Sequence, residues 1–464
     1  MMTSQELTRR LAELAEEFNV AGASAALWHK GTLIKAETGT VNTATGAPVL
    51  PNTLFAAGSV TKVFTATVAM TLVNEGLLKL DAPVRDYLPN FTAVNSERSA
   101  AITVRMLLNH SSGLPGDYMP DLAPGDDVLE RLMQKLADLP VTGVPGERWS
   151  YSNMGMATLG RIIEVITGES YHSALRTRIF EPLGLNATAE TEELLLRSTA
   201  VGHTVDPATG SAAPVHRFRA WPENGPAGSR LWLDIDALIT FGRMHIDGMA
   251  PDGRRLLSPW TLHEMREPQF DDYWGCFPMY VNYGLGWALV REGDDPVLAH
   301  GGANLGMHST LYVLPKQQAV LAVLTNSTTG IQLYSSLCDR LLKEYFAVRS
   351  PAPTYTPQST IEVDNTQYTG IYRSPNGEVS VDVRERRLHL RTTPAPSLTA
   401  WDRLNGRTPG ESQALPLVCI NRERHRFSVD LGSAGAYAAV QFYNPDANGC
   451  PTLVRVGTLY ERTP

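Results

Sequence analysis

Leu7, Leu11, Leu14 and Phe18 recur at helical spacing over residues 4–18, and Thr3 and Glu6 stand as a capping box ahead of them, so the pattern predicts an N-terminal amphipathic helix. Two strand-like runs follow at 21–29 and 32–38, separated by Lys30-Gly31, a short hairpin signal. Residues 60–78 form an apolar segment of helical period that ends near Gly76. From about 80 to 270 the chain reads as mainly helical, with Leu129, Leu132, Met133, Leu136 and Leu139 at the 3–4 spacing and the same period over 156–167. Strands return at 309–314 and 319–325, before a helix at about 333–347 with Leu337, Leu341, Leu342 and Tyr345 on one face. Strands at both ends of a helical middle imply one sheet assembled from distant parts of the chain, with a helical insertion beside it. That is an α/β-plus-α arrangement rather than alternating βαβ units.

The pattern changes at Arg349-Ser350-Pro351-Ala352-Pro353, whose Pro and Ser content marks a linker. Beyond it, short alternating runs at 379–383, 387–392, 415–420, 426–431, 437–443 and 452–460 are divided by Gly, Pro and Asn turns, as in an antiparallel barrel or sandwich. The expected organisation is therefore a mixed α/β domain over 1–347, a linker over 348–361 and an all-β domain over 362–464.

Composition narrows the function. With 43% hydrophobic and 19% charged residues in 464, there is ample material for packed cores. A net charge of −8 and the lack of a dense Lys/Arg run argue against nucleic-acid binding. No stretch reads as a secretory leader or a membrane span, so a cytoplasmic location is expected, with no membrane partner. Cys276, Cys338, Cys419 and Cys450 are widely spaced and read as reduced thiols rather than a metal site. Only 7 of the 40 basic residues are lysines, which makes each lysine informative.

There is no GxSxG elbow and no Walker loop, and His263-Glu264-Met265-Arg266-Glu267 fails the zinc-binding HExxH pattern at its last position. What remains is Ser59-Val60-Thr61-Lys62, the one SxxK in the chain, at the start of the 60–78 helix. A serine there gains from the helix dipole, and a lysine one turn on, partly desolvated, has a lowered pKa and can take its proton. The second element is Tyr151-Ser152-Asn153, a weak pattern that Tyr280-Val281-Asn282 also matches. The third is His300-Gly301-Gly302-Ala303, ahead of the strand at 309–314, where two glycines let a substrate backbone approach and Ala303 offers a main-chain N–H to an oxyanion. Taken singly, each has an ordinary explanation: an N-capping serine, a tyrosine packed on a helix start, a glycine turn.

Together, in this order and separation, they resemble the serine β-lactamase and penicillin-binding-protein superfamily, in its class C, esterase and D-aminopeptidase-like branch. Further stretches share the likeness: Gly76-Leu77-Leu78-Lys79-Leu80-Asp81, Ile102 to Pro115, Phe180-Glu181-Pro182-Leu183-Gly184-Leu185 and Tyr283-Gly284-Leu285-Gly286-Trp287. The resemblance spans roughly residues 5–347 and implies an antiparallel sheet flanked by helices, with a helical insertion. It implies Ser59 as acylated nucleophile, Lys62 as its activating partner, Tyr151 as general base and proton shuttle, and Asn153 as a contact of substrate and lysine. The N–H groups of Ser59 and Ala303 would form the oxyanion hole. His300, catalytic by the same resemblance, stands where β-lactamases and transpeptidases keep the lysine of a KTG motif, which disfavours recognition of a β-lactam carboxylate and hence antibiotic hydrolysis. His110 and Ser112 are expected to support the site.

With a lipocalin-like barrel at the C-terminus, the chain looks like two groups within that branch: D-stereoselective aminopeptidases and amidases, and stand-alone penicillin-binding-protein-type thioesterases that cyclise nonribosomal peptides. The second is the expectation adopted, with a peptidyl thioester, presented on a carrier protein, as substrate; a D-stereospecific aminopeptidase, amidase or esterase is the runner-up, and a β-lactamase or a catalytically idle penicillin sensor, the latter from another class, ranks below both. No metal or other cofactor is implied. Gly301, Gly302 and Trp232 are expected to contact substrate, and the aromatic segments 218–221 and 271–280 to line a broad cleft, with Asp271 and Asp272 near an incoming ammonium. Arg455 and Arg462 are candidate anchors for a peptide end.

Overall fold

The structure is a computed structural model that describes residues 2–216, 218, 221–273, 280–348, 366–399, 413–421, 423–430 and 437–463. Helix α1 (Ser4–Glu17) begins where Thr3 caps it, the Thr3 hydroxyl accepting from the Glu6 N–H at 3.2 Å. Glu6 does not close the box: its carboxylate is turned to Arg9 and Arg10.

An eight-stranded antiparallel sheet is built from β1 (Gly22–His29), β2 (Thr32–Asn42), β3 (Ala47–Pro48), β4 (Asn282–Tyr283), β5 (Ala288–Arg291), β6 (Val297–Asn304), β7 (Met307–Leu314) and β8 (Ala319–Thr325). Its order, β3-β2-β1-β8-β7-β6-β5-β4, joins the two ends of the domain through the β1–β8 pair. Lys30 and Gly31, both at positive φ, form the β1–β2 turn that the sequence predicts. Both faces of the central strands are buried. Leu311, Val313, Val320, Ala322 and Leu324 face the larger core, and Tyr312, Leu314, Ala319, Leu321 and Val323 the smaller one.

Two helices cover the second face: α1 and, at the far end of the domain, the helix Gly330–Phe346. The first face carries α2 (Thr61–Asn74), α3 (Asn153–Thr167) and α4 (Ile235–Asp247) with the rest of the helical insertion, and the Gly330–Phe346 helix is α5. Helix α2 is buried on every side from Thr61 to Leu72, which fixes it as the central post of the domain. Strands β4, β5 and β6 are not marked by the sequence pattern. β4 and β5 are short, and the His-Gly-Gly run of β6 has no alternation of apolar and polar side chains; the true turn after it lies at Leu305-Gly306, both at positive φ.

The C-terminal region is a closed antiparallel barrel of β9 (Gly370–Ser374), β10 (Gly377–Arg384), β11 (Arg387–Pro394), β12 (Leu415–Asn421), β13 (Arg426–Asp430), β14 (Tyr437–Pro445), β15 (Pro451–Val456) and β16 (Thr458–Arg462). The run expected as one strand at 452–460 is broken into β15 and β16 at Gly457, φ 74°. Tyr372, Val381, Leu390, Phe427, Val440 and Val454 fill its interior. The expected linker lies largely outside the described residues. Among the described residues, no helix is long and apolar enough to cross a membrane.

The barrel packs against the first domain. Arg424 and Arg426 bind Asp272, and Arg98 binds Glu461 at 2.5 Å. Asp272, expected near an incoming ammonium, is therefore committed to the barrel. Helix α4 crosses the sheet at Gly242, where an added Cβ would stand 2.5 Å from Val320 Cγ1. Gly242→Ala should lower stability by about 1–3 kcal/mol through overpacking, read as a fall in Tm at unchanged site chemistry; an unchanged Tm would refute this account of the helix–sheet contact.

Candidate active site

Ser59 lies in a 3₁₀ turn (Gly58–Val60) that runs into α2, so Lys62 falls one turn along the same face. Lys62 is fully buried, and its Nζ donates to Ser59 Oγ at 3.1 Å and to the Ala227 carbonyl at 2.5 Å. Its amine also sits over the Tyr151 ring, 4.8 Å from the centroid. Desolvation brings its pKa down from 10.5 to about 7, with the charge of Asp117 pulling the other way. Near neutrality the amine is thus poised both to take and to return a proton at Ser59 Oγ.

Tyr151 stands two residues before α3, next to its N-cap. Ser152 is the N-cap, its hydroxyl accepting from the Gly155 N–H at 2.8 Å, and Asn153 is the first helical residue. His110, at φ 61° and fully buried, supports this start from below. Its carbonyl accepts from the Ser150 N–H at 2.7 Å, its Nδ1 accepts from the Ser152 N–H at 3.2 Å, and its ring lies 4.5 Å from that of Tyr151. Burial, with Lys62 and His300 nearby, holds His110 neutral, as Nδ1 acceptance requires.

His300 to Ala303 lie within strand β6, not in a turn. The β6–β7 ladder runs through all four residues, whereas pairing with β5 stops at Ala299. One edge of this segment is left outside the ladder, and the segment lines the cavity described below. The His300 Nδ1–H donates to the Gly301 carbonyl at 2.7 Å, and Nε2 is 3.3 Å from the Tyr283 hydroxyl. Desolvation and the nearby Lys62 bring the pKa of His300 down to about 3, so it is a neutral imidazole across the physiological range.

Glycines bring together the N–H groups of Ser59 and Ala303, the expected oxyanion donors. A Cβ on Gly302 would meet the Ala57 carbonyl at 2.1 Å and Ser59 N at 2.9 Å; one on Gly58, φ 54°, would meet Ala303 N at 2.4 Å. Gly228 closes the third side, its Cβ position only 3.0 Å from Ser59 N. Gly228 and the lysine-holding Ala227 carry no motif, and the sequence does not mark them.

These groups open on a cavity of about 620 Å³ lined by Ser59, Tyr151, His300 and the glycines on one side and by barrel residues on another, among them Thr393, Leu398 and Tyr460. Trp149, Tyr280, Tyr283 and Tyr334 give it aromatic walls. Tyr280, from the second YxN match, thus reaches the site, while Asn282 is turned away to the Phe270 carbonyl. Asp117, which the sequence does not mark, is the one Asp, Glu, Lys or Arg among the described lining residues. Asn153 Nδ2 donates to its Oδ1 at 2.5 Å. Trp232 is placed elsewhere: it is 2% exposed in the main core, paired with Ala56 and Thr188 in a small sheet behind Ser59. Of the aromatic segment 271–280, residues 274–279 lie outside the described residues. Arg455 stacks on Trp149 at 5.5 Å, and Arg462 donates to the Thr369 carbonyl.

A buried lysine amine against a serine at a helix start, a tyrosine ring over that amine and two N–H groups packed together by glycines are the arrangement of a serine-nucleophile hydrolase. The chain belongs to the β-lactamase family, whose model, described as Beta-lactamase, matches residues 7–340. It is 36% identical to penicillin-binding protein 4 of Amycolatopsis lactamdurans over 373 residues, 79% of this chain and 97% of that one. The solved structure of SurE is similar over 99% of both chains, with a TM-score of 0.81 and 26% identity. The D-amino acid amidase of Ochrobactrum anthropi, solved with L-phenylalanine amide, covers 72% of this chain and 99% of its own, with a TM-score of 0.59 and 25% identity.

Two outcomes follow from this geometry. Gly302→Ala should cut kcat for acyl transfer by on the order of 10²-fold, because the new methyl displaces β6 from Ser59; a rate within threefold of the parent would contradict the oxyanion assignment. Since only the neutral amine of Lys62 can accept a proton, kcat/KM should rise with pH through an acid limb near pH 7. A profile flat from pH 5.5 to 8.5 would remove Lys62 from that role.

Proposed function

We propose that the protein is a serine acyltransferase that takes a peptidyl thioester ending in a D-residue onto Ser59 and releases it by attack of the peptide's own N-terminal amine. Ser59 Oγ adds to the thioester carbonyl as its proton passes to Lys62, and the oxyanion is met by the N–H groups of Ser59 and Ala303. Collapse expels the thiol, which leaves with a proton relayed through Tyr151. The amine then adds to the Ser59 ester, the new amide forms, and the proton it loses returns to Ser59 Oγ. Holding both ends of one chain in a single cavity gives the amine a high effective concentration relative to water.

The observation that carries this reading is the cavity wall: large, aromatic, roofed by the barrel, and charged among its described lining residues only at Asp117. Such a wall suits an ammonium or a free amine; among the described lining residues it has no Lys or Arg to meet a free carboxylate, and a neutral His300 adds no charge. A SurE structure solved with D-Leu, 25% identical to this chain, supports a D-residue at the acyl position. Delivery of the acyl group on a carrier protein belongs to the same proposal.

A second reading, a D-stereospecific amidase or aminopeptidase, uses the same residues and is favoured by the likeness to D-amino acid amidase, with Asp117 holding the α-ammonium of a single residue. The two differ in what attacks the acyl-enzyme. Incubated with a peptidyl N-acetylcysteamine thioester ending in a D-residue, the protein should form a product one water lighter than the linear acid, and Ser59→Ala should form none. Linear acid alone, across several peptides, would select the amidase reading. Asp117→Asn should lower the ratio of cyclic to linear product by on the order of tenfold, the worth of one charge-assisted hydrogen bond.

A further inference from the structure

The barrel grips the Tyr151-Ser152-Asn153 segment from two sides. On one side is the turn of the β15–β16 hairpin. The Gly457 carbonyl accepts from the Tyr151 N–H at 3.2 Å, the Leu459 N–H donates to Ser150 Oγ at 3.0 Å, and Thr458 Oγ1 lies 3.1 Å from the same hydroxyl. On the other side is Asn376, in the two-residue turn between β9 and β10 and only 6% exposed. Its side chain leaves its own domain: Oδ1 accepts from the Gly116 N–H at 2.9 Å and Nδ2 donates to the Asp117 carbonyl at 3.4 Å.

Gly116 and Asp117 in turn hold Asn153 twice. The Gly116 carbonyl accepts from the Asn153 N–H at 2.7 Å, and the Asp117 carboxylate accepts from Asn153 Nδ2 at 2.5 Å. The pair passes so close to Asn376 that a Cβ on Gly116 would meet its Nδ2 at 3.1 Å and the Tyr151 carbonyl at 3.2 Å. We infer that Asn376 is a positioning residue for acyl transfer: the barrel sets the main chain at 116–117, and through it Asn153, Asp117 and the start of α3 that carries Tyr151. The barrel is then part of the catalytic geometry and not only a cover over the cavity.

This inference rests on the proposed acylation of Ser59, and the test separates the two. The probe is the same D-residue thioester surrogate, followed as thiol release, for the full chain and its Ser59→Ala, Asn376→Ala and Glu461→Ala variants. If Ser59→Ala retains thiol release, the proposed function itself fails. If release is Ser59-dependent, Asn376→Ala should lower kcat by about ten- to hundredfold with KM changed less than threefold, the size expected for a misplacement of about 1 Å. The acid limb provides a second readout. Lys62 is faced by Asp117, Tyr151, His110 and His300, and of these the Asp117 carboxylate is the group that raises its pKa. If Asp117 drifts from its place, the limb should move to lower pH. A merely loosened interface would not move it.

Glu461→Ala cuts the Arg98 and Gly143 contacts of the same interface without touching the 116–117 bracket, and should leave the limb in place. Should Asn376→Ala fail to fold, Asn376→Asp keeps the acceptor for the Gly116 N–H but cannot donate to the Asp117 carbonyl. Its added carboxylate opposes the fall of the limb, so this variant is read on kcat alone, which should drop at least fivefold with KM changed less than threefold. The assignment is overturned if Asn376→Ala keeps both kcat and limb within twofold and 0.2 pH units, if Asn376→Asp, read in its place, keeps kcat within twofold, or if Glu461→Ala reproduces both effects.

Discussion

The amine of Lys62 has been taken out of water, and the rest of the site is arranged around the consequence. An ammonium in a helix packed on all sides has no solvent to stabilise its charge, so the proton is held weakly, and two acceptors, Ser59 Oγ and the Ala227 carbonyl, fix where the amine points. The ring of Tyr151 covers it and Asp117 offsets part of the desolvation. A folded domain with two extensive cores can sustain such a group because its stability is drawn from elsewhere. The segment from Pro222 to Ala227, which supplies the acceptor, is held in place by the Thr65 hydroxyl, which donates to the Pro226 carbonyl at 2.6 Å from the same central helix.

The second constraint is steric. Three backbones, at Gly58, Gly228 and Gly302, meet around one main-chain nitrogen, that of Ser59. Each would clash if it bore a side chain, so close backbone contact sets the spacing of the Ser59 and Ala303 N–H groups, the expected oxyanion donors. These positions are far apart in the chain, and the sheet closes them: β6 carries Gly302, and its ladder to β7 and β8 connects it to β1 at the other end of the domain.

Much of this was legible in the sequence because it rests on local signals. Periodicity placed α1, α2 and the last helix of the first domain, and continuous apolar runs placed β7 and β8, since strands buried on both faces read that way. The SxxK spacing placed Lys62 on the face of Ser59, because one helical turn is a local fact. Strands β4 to β6 were not legible: the first two have only two and four residues, and β6 carries His-Gly-Gly in place of an alternation to read. Nor was Asp117, whose importance comes from being brought beside Asn153 and the barrel, or Asn376, whose partners are some 260 positions away in the chain. Asp272 shows the opposite error. Its charge suggested a ligand, whereas two barrel arginines take it. Trp232 drew attention as an aromatic near the site, but its neighbours on the small sheet bury it in the core.

The central claim is the state of one amine, and it can be measured without any substrate. With only 7 lysines in the chain, selective ¹³C labelling of lysine Cε gives a spectrum in which Lys62 is assigned by its loss in Lys62→Met. Titration should show that resonance moving with a midpoint near pH 7 while ordinary solvent-exposed lysines titrate near 10.4. A Lys62 midpoint near 10 would mean an ammonium at every physiological pH. The amine could not then act as the proton acceptor for Ser59.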